Sequence, residues 1–141
     1  VGRLDLNSEG LLLLTNNGEL SRELELPKNA WSRRYRVRVH GRIDTKQLAG
    51  LQNGVTIEGV AYGKVSAAVD SQNGTNAWLT VTLNEGKNRE IRKLMKFIGL
   101  EVTRLIRVSY GPFQLGNLAK GEVREVPLKV LKEQLGSRIA L

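Results

Sequence analysis

The sequence contains no cysteine and a single histidine, His40. The first absence excludes disulfides, thiolate metal sites and thiol nucleophiles. With one histidine as well, a zinc site has too few ligands and is not expected. A chain without cysteine suits a reducing compartment, and we expect a cytoplasmic protein. No apolar run approaches the length of a bilayer span, so we expect no membrane partner. The opening residues form no positively charged apolar leader. They lack an initiator methionine and begin directly on a motif, so we expect a piece trimmed at its N-terminus. Tandem repeats, low-complexity tracts and interdomain linkers are also missing. The 141 residues, 40% of them hydrophobic, read as one domain, 1–141, long enough for a real core.

What is present is positive charge. Lys and Arg number 22 against 14 Asp and Glu, a net +8. An excess of that size favours a polyanionic partner, most often nucleic acid, although a generically basic domain is the plainer alternative. No basic amphipathic helix with an aromatic face points to a membrane surface.

Turn residues bound Leu11 to Leu14 on both sides, so this run reads as a short buried strand. Asp5 then lies in a loop held by a core strand, where a carboxylate can be presented rigidly. Taken alone, Asp5 is better explained as a solvated or turn-forming aspartate, since structural carboxylates far outnumber catalytic ones. Leu20 and Leu24 predict a helix over 18–26, capped by Asn17 and ended by Pro27. From Arg34 the chain alternates: Tyr35, Val37 and Val39 point one way, Arg34, Arg36, Arg38 and His40 the other. That is a strand with an apolar face and a basic face. A short helix follows from Asp44 or Thr45 to Leu51. Strands are expected at 55–57, 60–70 and 77–83, with 71–76 as a polar loop between the last two. Ile91, Leu94, Met95 and Ile98 set the core stripe of a helix from Arg89, with Asn88 as its cap. Lys87, Arg89, Arg92, Lys93 and Lys96 crowd its exposed side, mostly near the N-terminus, where cations oppose the macrodipole. That placement points to an external anion, or else to a solvated face. Strands at 101–110 and 123–126 and a helix from Pro127 to Leu135 complete the pattern. Without strict βα alternation, the fold class is α+β with a mixed, mainly antiparallel sheet.

Several segments together resemble RNA pseudouridine synthases. Gly2-Arg3-Leu4-Asp5 followed by Asn7-Ser8-Glu9-Gly10-Leu11-Leu12 resembles the family's catalytic motif, and Arg33 to Val37 resembles its Lys-x-Tyr-x-Val strand. Glu85 to Arg92, then Arg104-Leu-Ile-Arg107 and Gly111, resembles the third motif of the ribosomal-RNA branch typified by RsuA. The wording is closest to the large-subunit RluB type. The match covers nearly the whole chain in the right order. It implies a central antiparallel-rich sheet flanked by helices, with a cleft across it. It also implies a monomer acting on ribosomal RNA, either free or in a ribosome assembly intermediate. Asp5 would be the essential aspartate, Tyr35 would stack on the uracil, and Arg92 would pair with Asp5. Ile91 would close the base from the other side, and Arg3 would help occupy the gap or hold the backbone near the flipped nucleotide. The usual lysine two residues before the tyrosine is Arg33. The upstream Lys-Pro strand and the S4-type N-terminal domain of this branch are absent.

The chemistry that the resemblance implies needs no metal or cofactor, and it suits these residue types. The N1–C1′ bond of uridine breaks, the uracil turns, and C5 bonds to C1′. Asp5 would attack C1′ or deprotonate C2′. Either role needs it ionised in a cleft that excludes water, and a neighbouring guanidinium opposes the neutralising effect of desolvation. Flipping exposes the base, and an aromatic face can hold it. The other arginines and lysines, among them Lys87, Arg89 and Arg107, would bind phosphates. The alternatives are a non-catalytic RNA-binding domain, which needs none of Asp5, Tyr35 and Arg92, and a glycosidase. A glycosidase usually needs two carboxylates, and Glu9 is the nearest second one.

Overall fold

Neighbouring strands of alternating residues build the centre of the protein. The computed structural model describes residues 1–2 and 4–136. In chain order its elements are β1 (Glu9–Gly10), α1 (Gly18–Glu25), β2 (Arg33–His40), α2 (Thr45–Gly50), β3 (Val55–Ile57) and β4 (Val60–Tyr62). There follow β5 (Val65–Asn73), β6 (Asn76–Leu83), α3 (Glu90–Phe97), β7 (Glu101–Tyr110), β8 (Phe113–Gln114) and α4 (Leu128–Leu135). The six-stranded sheet runs β1-β7-β2-β6-β5, with β8 on β7; β3 and β4 form a separate hairpin. The β1–β7 pairing is parallel and the rest are antiparallel. The fold is therefore α+β with a mixed, mainly antiparallel sheet and flanking helices.

Val37, Val39, Leu79, Val81 and Leu105 point to one face and are buried there with Ile91, Leu94 and Met95 of α3 and Leu48 of α2. A second core gathers Leu11, Leu20, Leu24, Tyr110, Phe113 and Leu135 at the far end of β7. The Tyr110 hydroxyl donates to the Leu24 carbonyl at 2.7 Å, tying α1 to the sheet. Arg33 donates to that hydroxyl at 3.0 Å, so it serves this junction.

Five local expectations change. Leu11 to Leu14 is not a strand: Leu11 is buried, but Leu12 and Leu14 are exposed, and the pairing with β7 stops at Gly10. Residues 71–76 are not a loop, because β5 and β6 stay paired to Asn73 and Asn76. The expected 60–70 strand breaks between β4 and β5. Asn88 does not cap α3; Arg89 holds that position at φ 51° with no side-chain cap. Residues 123–126 do not form a strand. Asn17 and Asp44 do cap α1 and α2, each accepting two backbone N–H bonds. Among the described residues, no helix is long and apolar enough to cross a membrane.

Candidate active site

The segment carrying Asp5 is fastened to β7 along its length. Gly10 has φ 105°, and a Cβ there would lie 2.2 Å from the Arg107 carbonyl oxygen. Only glycine lets the two backbones come this close. The Leu11 N–H donates to the same carbonyl at 2.8 Å. Arg107 Nε returns a bond to the Leu11 carbonyl at 2.9 Å. Glu9 takes a two-pronged bond from Arg104, at 2.8 and 2.9 Å. Gly2 lies against the Tyr110 ring, where a Cβ would meet a ring carbon at 2.7 Å. Between these anchors the Ser8 N–H donates to the Asp5 carbonyl at 2.9 Å, making a turn that leaves the Asp5 side chain half-buried.

Tyr35 and Arg107 are direct cross-strand partners on β2 and β7. The register slips between Arg34 and Tyr35, so the bulge lies at this pair. Bulges often re-aim side chains near functional sites. Burial pushes the Tyr35 hydroxyl above the usual phenol range. Arg107, hydrogen-bonded to it, and Arg33 pull it down, while the Asp5 charge pushes it up. Burial outweighs the neighbouring charges, and Tyr35 stays neutral. Ile91 is buried in the core cluster against which Tyr35 packs.

Arg92 does not pair with Asp5. Among the described residues no ion pair joins them. The turn presents a backbone carbonyl to α3 instead, and Arg92 Nη2 donates to the Asn7 oxygen at 2.9 Å. Arg92 Nε is buried with no hydrogen-bond partner. Arg107 is also placed differently from the expectation of a phosphate ligand. It is 1% exposed, and its guanidinium carbon lies 5.1 Å from the Tyr110 ring centroid. Lys87 is exposed but already engaged, 2.9 Å from Glu85 and bonded to the Ala61 carbonyl at 2.5 Å. Arg89 is exposed. Arg3 lies outside the described residues. At the start of α3, Glu90 is 3% exposed and accepts the Lys87 N–H at 3.1 Å. Burial first, then the neighbouring Glu85, push its carboxyl up to about 7.

A family profile described as RNA pseudouridylate synthase matches residues 1–97. The chain belongs to the RNA pseudouridylate synthase family. An uncharacterized RNA pseudouridine synthase of Rickettsia bellii is 50% identical over 132 residues, which are 94% of this chain and 57% of that protein. The ribosomal large subunit pseudouridine synthase B of Yersinia pestis is 43% identical over 130 residues, 92% of this chain and 41% of that protein. A solved pseudouridylate synthase superposes with a TM-score of 0.81 at 26% identity, over 95% of this chain and 57% of that one. The chain thus spans about half the length of these relatives. Among the described residues of this family member, no cluster of three or more His, Cys, Asp or Glu side chains could hold a metal ion.

The burial of two charged residues, Arg107 and Glu90, is not what the sequence reading expects, yet each had a signal. Along β7, Arg107 shares the parity of Leu105, a core residue. Along α3, Glu90 lies four residues before Leu94, on the stripe of Ile91, Leu94 and Met95.

Proposed function

We propose that this segment, 1–141, is the catalytic domain of a pseudouridine synthase that isomerises uridine in ribosomal RNA, of the large-subunit type. The observation that carries the reading is that the loop of Asp5 is fastened to β7 at Arg107, the residue whose cross-strand partner on β2 is Tyr35. The ribosomal preference is supported by the Yersinia pestis relative.

A flipped uridine would lay its base on Tyr35, with Ile91 closing the pocket wall. Asp5 then acts at the sugar, by attack on C1′ or removal of the C2′ proton. The N1–C1′ bond breaks, the uracil turns, C5 joins C1′, the C5 proton leaves, and N1 gains a proton. A phenol kept neutral by burial acts as a stacking surface and hydrogen-bond donor before it acts as a base. The partnerless Nε of Arg92 is a buried donor that costs roughly 1–3 kcal/mol to leave unmet. In the RNA complex it would turn to the Asp5 carboxylate and hold it ionised. Arg92→Ala should then lower kcat by more than tenfold with little change in RNA affinity. A variant with near-normal kcat would sink the pairing.

The substrate is tested by mapping pseudouridine in ribosomal RNA from cells with and without the full-length gene. Loss of a large-subunit modification is expected. An unchanged map would overturn the ribosomal assignment.

A further inference from the structure

The sheet face opposite Tyr35 meets the Asp5 segment through the Arg104–Glu9 pair, and beyond that pair it carries a concentrated pattern. Arg34, Arg36 and Arg38 of β2 point outward there, all exposed. Arg38 lies in register between Trp78 on β6 and Arg104 on β7. The guanidinium carbons of Arg36 and Arg104 lie 5.0 and 6.0 Å from the Trp78 ring centroid. Asp70 sits 3.3 Å from Arg36 and accepts the Thr80 hydroxyl at 2.6 Å; Glu9 grips Arg104. These carboxylates orient two guanidiniums beside the indole. Two of these four arginines are paired with carboxylates; Glu101, exposed on the same face opposite His40, is paired with none of them, and among the described residues Arg34 and Arg38 enter no ion pair.

An open face that gathers like charges around a half-buried aromatic is unfavourable to itself and favourable to a polyanion with flat bases. Base–aromatic stacking tolerates any sequence, and guanidinium planes both stack bases and hold phosphates. We propose that this face is a second RNA-contact surface, which takes a single-stranded segment on the side of the sheet away from Asp5. Trp78 stacks a base there, and Arg34 and Arg38 hold phosphates. This rests on RNA being the protein's substrate, as proposed above.

The test uses the full-length protein and a labelled oligoadenylate, which offers no uridine to the Asp5 site. Binding is followed by fluorescence anisotropy, and turnover by tritium release from a short uridine substrate. Arg38→Gln should weaken oligoadenylate binding several-fold and reduce the slope of log affinity against log salt by about 0.7, one single-strand phosphate contact. Trp78→Leu should weaken it by roughly 5- to 150-fold, the range of one stacked base. Arg38→Gln, on an exposed side chain, should leave turnover of the short substrate unchanged. Oligoadenylate that does not bind, or binds both variants as well as the parent, would overturn the proposal; the second outcome would also show that other parts of the longer protein bind it. A protein that releases no tritium yet shows these dependences would refute the isomerase reading and keep this one.

Discussion

Tyr35 is asked to do two things, and substitution separates them. Its ring offers a stacking face and its hydroxyl meets Arg107. Tyr35→Phe keeps the face, so substrate affinity measured by filter binding should stay within about twofold. Tyr35→Ala removes the face and should cost roughly 5- to 150-fold. Equal losses in both variants would move the binding role to the hydroxyl. Glu90 makes a different prediction. Its carboxyl sits at about 7 in the folded protein against an ordinary 4.5. The folded state therefore holds this proton more tightly than the unfolded chain. The stabilising effect is full below about 4.5 and is lost as pH rises toward about 7. Glu90→Gln stays neutral throughout, so the fall of Tm over that window should flatten. A slope equal to the parent's would contradict the assignment.

At the scale of elements, the close approach of β1 to β7 decides where Asp5 sits. Gly10→Ala would drive a Cβ into the Arg107 carbonyl and strain a backbone at φ 105°. We expect a loss of about 3 kcal/mol or more by urea denaturation, with loss of turnover. Gly18→Ala is the control: nothing lies within 4 Å of its added carbon, so its stability should hold or rise slightly. The elements themselves were largely legible. Asn17 and Asp44 announced two helices, and the alternation around Val37, Val39, Leu79 and Val81 announced the paired centre of the sheet. Leu11 to Leu14 was misleading because hydrophobicity alone does not supply a partner strand, and β7 already spends its edge on Glu9 and Gly10. Asn88 was a reasonable cap by residue type, but the Glu90 carboxyl takes the Lys87 N–H and the cap position falls to Arg89, in a left-handed conformation. The candidate residues could be nominated from the sequence, but their wiring could not, because a turn can offer a helix either a carboxylate or a carbonyl, and sequence does not distinguish them.

At the scale of the whole molecule, the net charge of +8 is distributed over a sheet with two distinct faces. One packs the core and leads to Asp5; the other exposes arginines around Trp78. RNA affinity should therefore fall steeply with salt. Four phosphate contacts would cost roughly 50- to 150-fold between about 50 and 200 mM, whereas an affinity indifferent to salt would remove the electrostatic role from these faces. Turnover at saturating RNA should depend on salt far less, since the reacting groups are sheltered.

The central claim is that the Asp5 carboxylate, held beside Tyr35, performs the isomerisation. It is tested most directly by tritium release from ribosomal RNA carrying 5-tritiated uridine, comparing the full-length parent with Asp5→Asn. The variant keeps the shape and loses the charge. We predict release by the parent and none above background by Asp5→Asn, with RNA binding retained. Release by Asp5→Asn at a rate comparable to the parent would contradict the account.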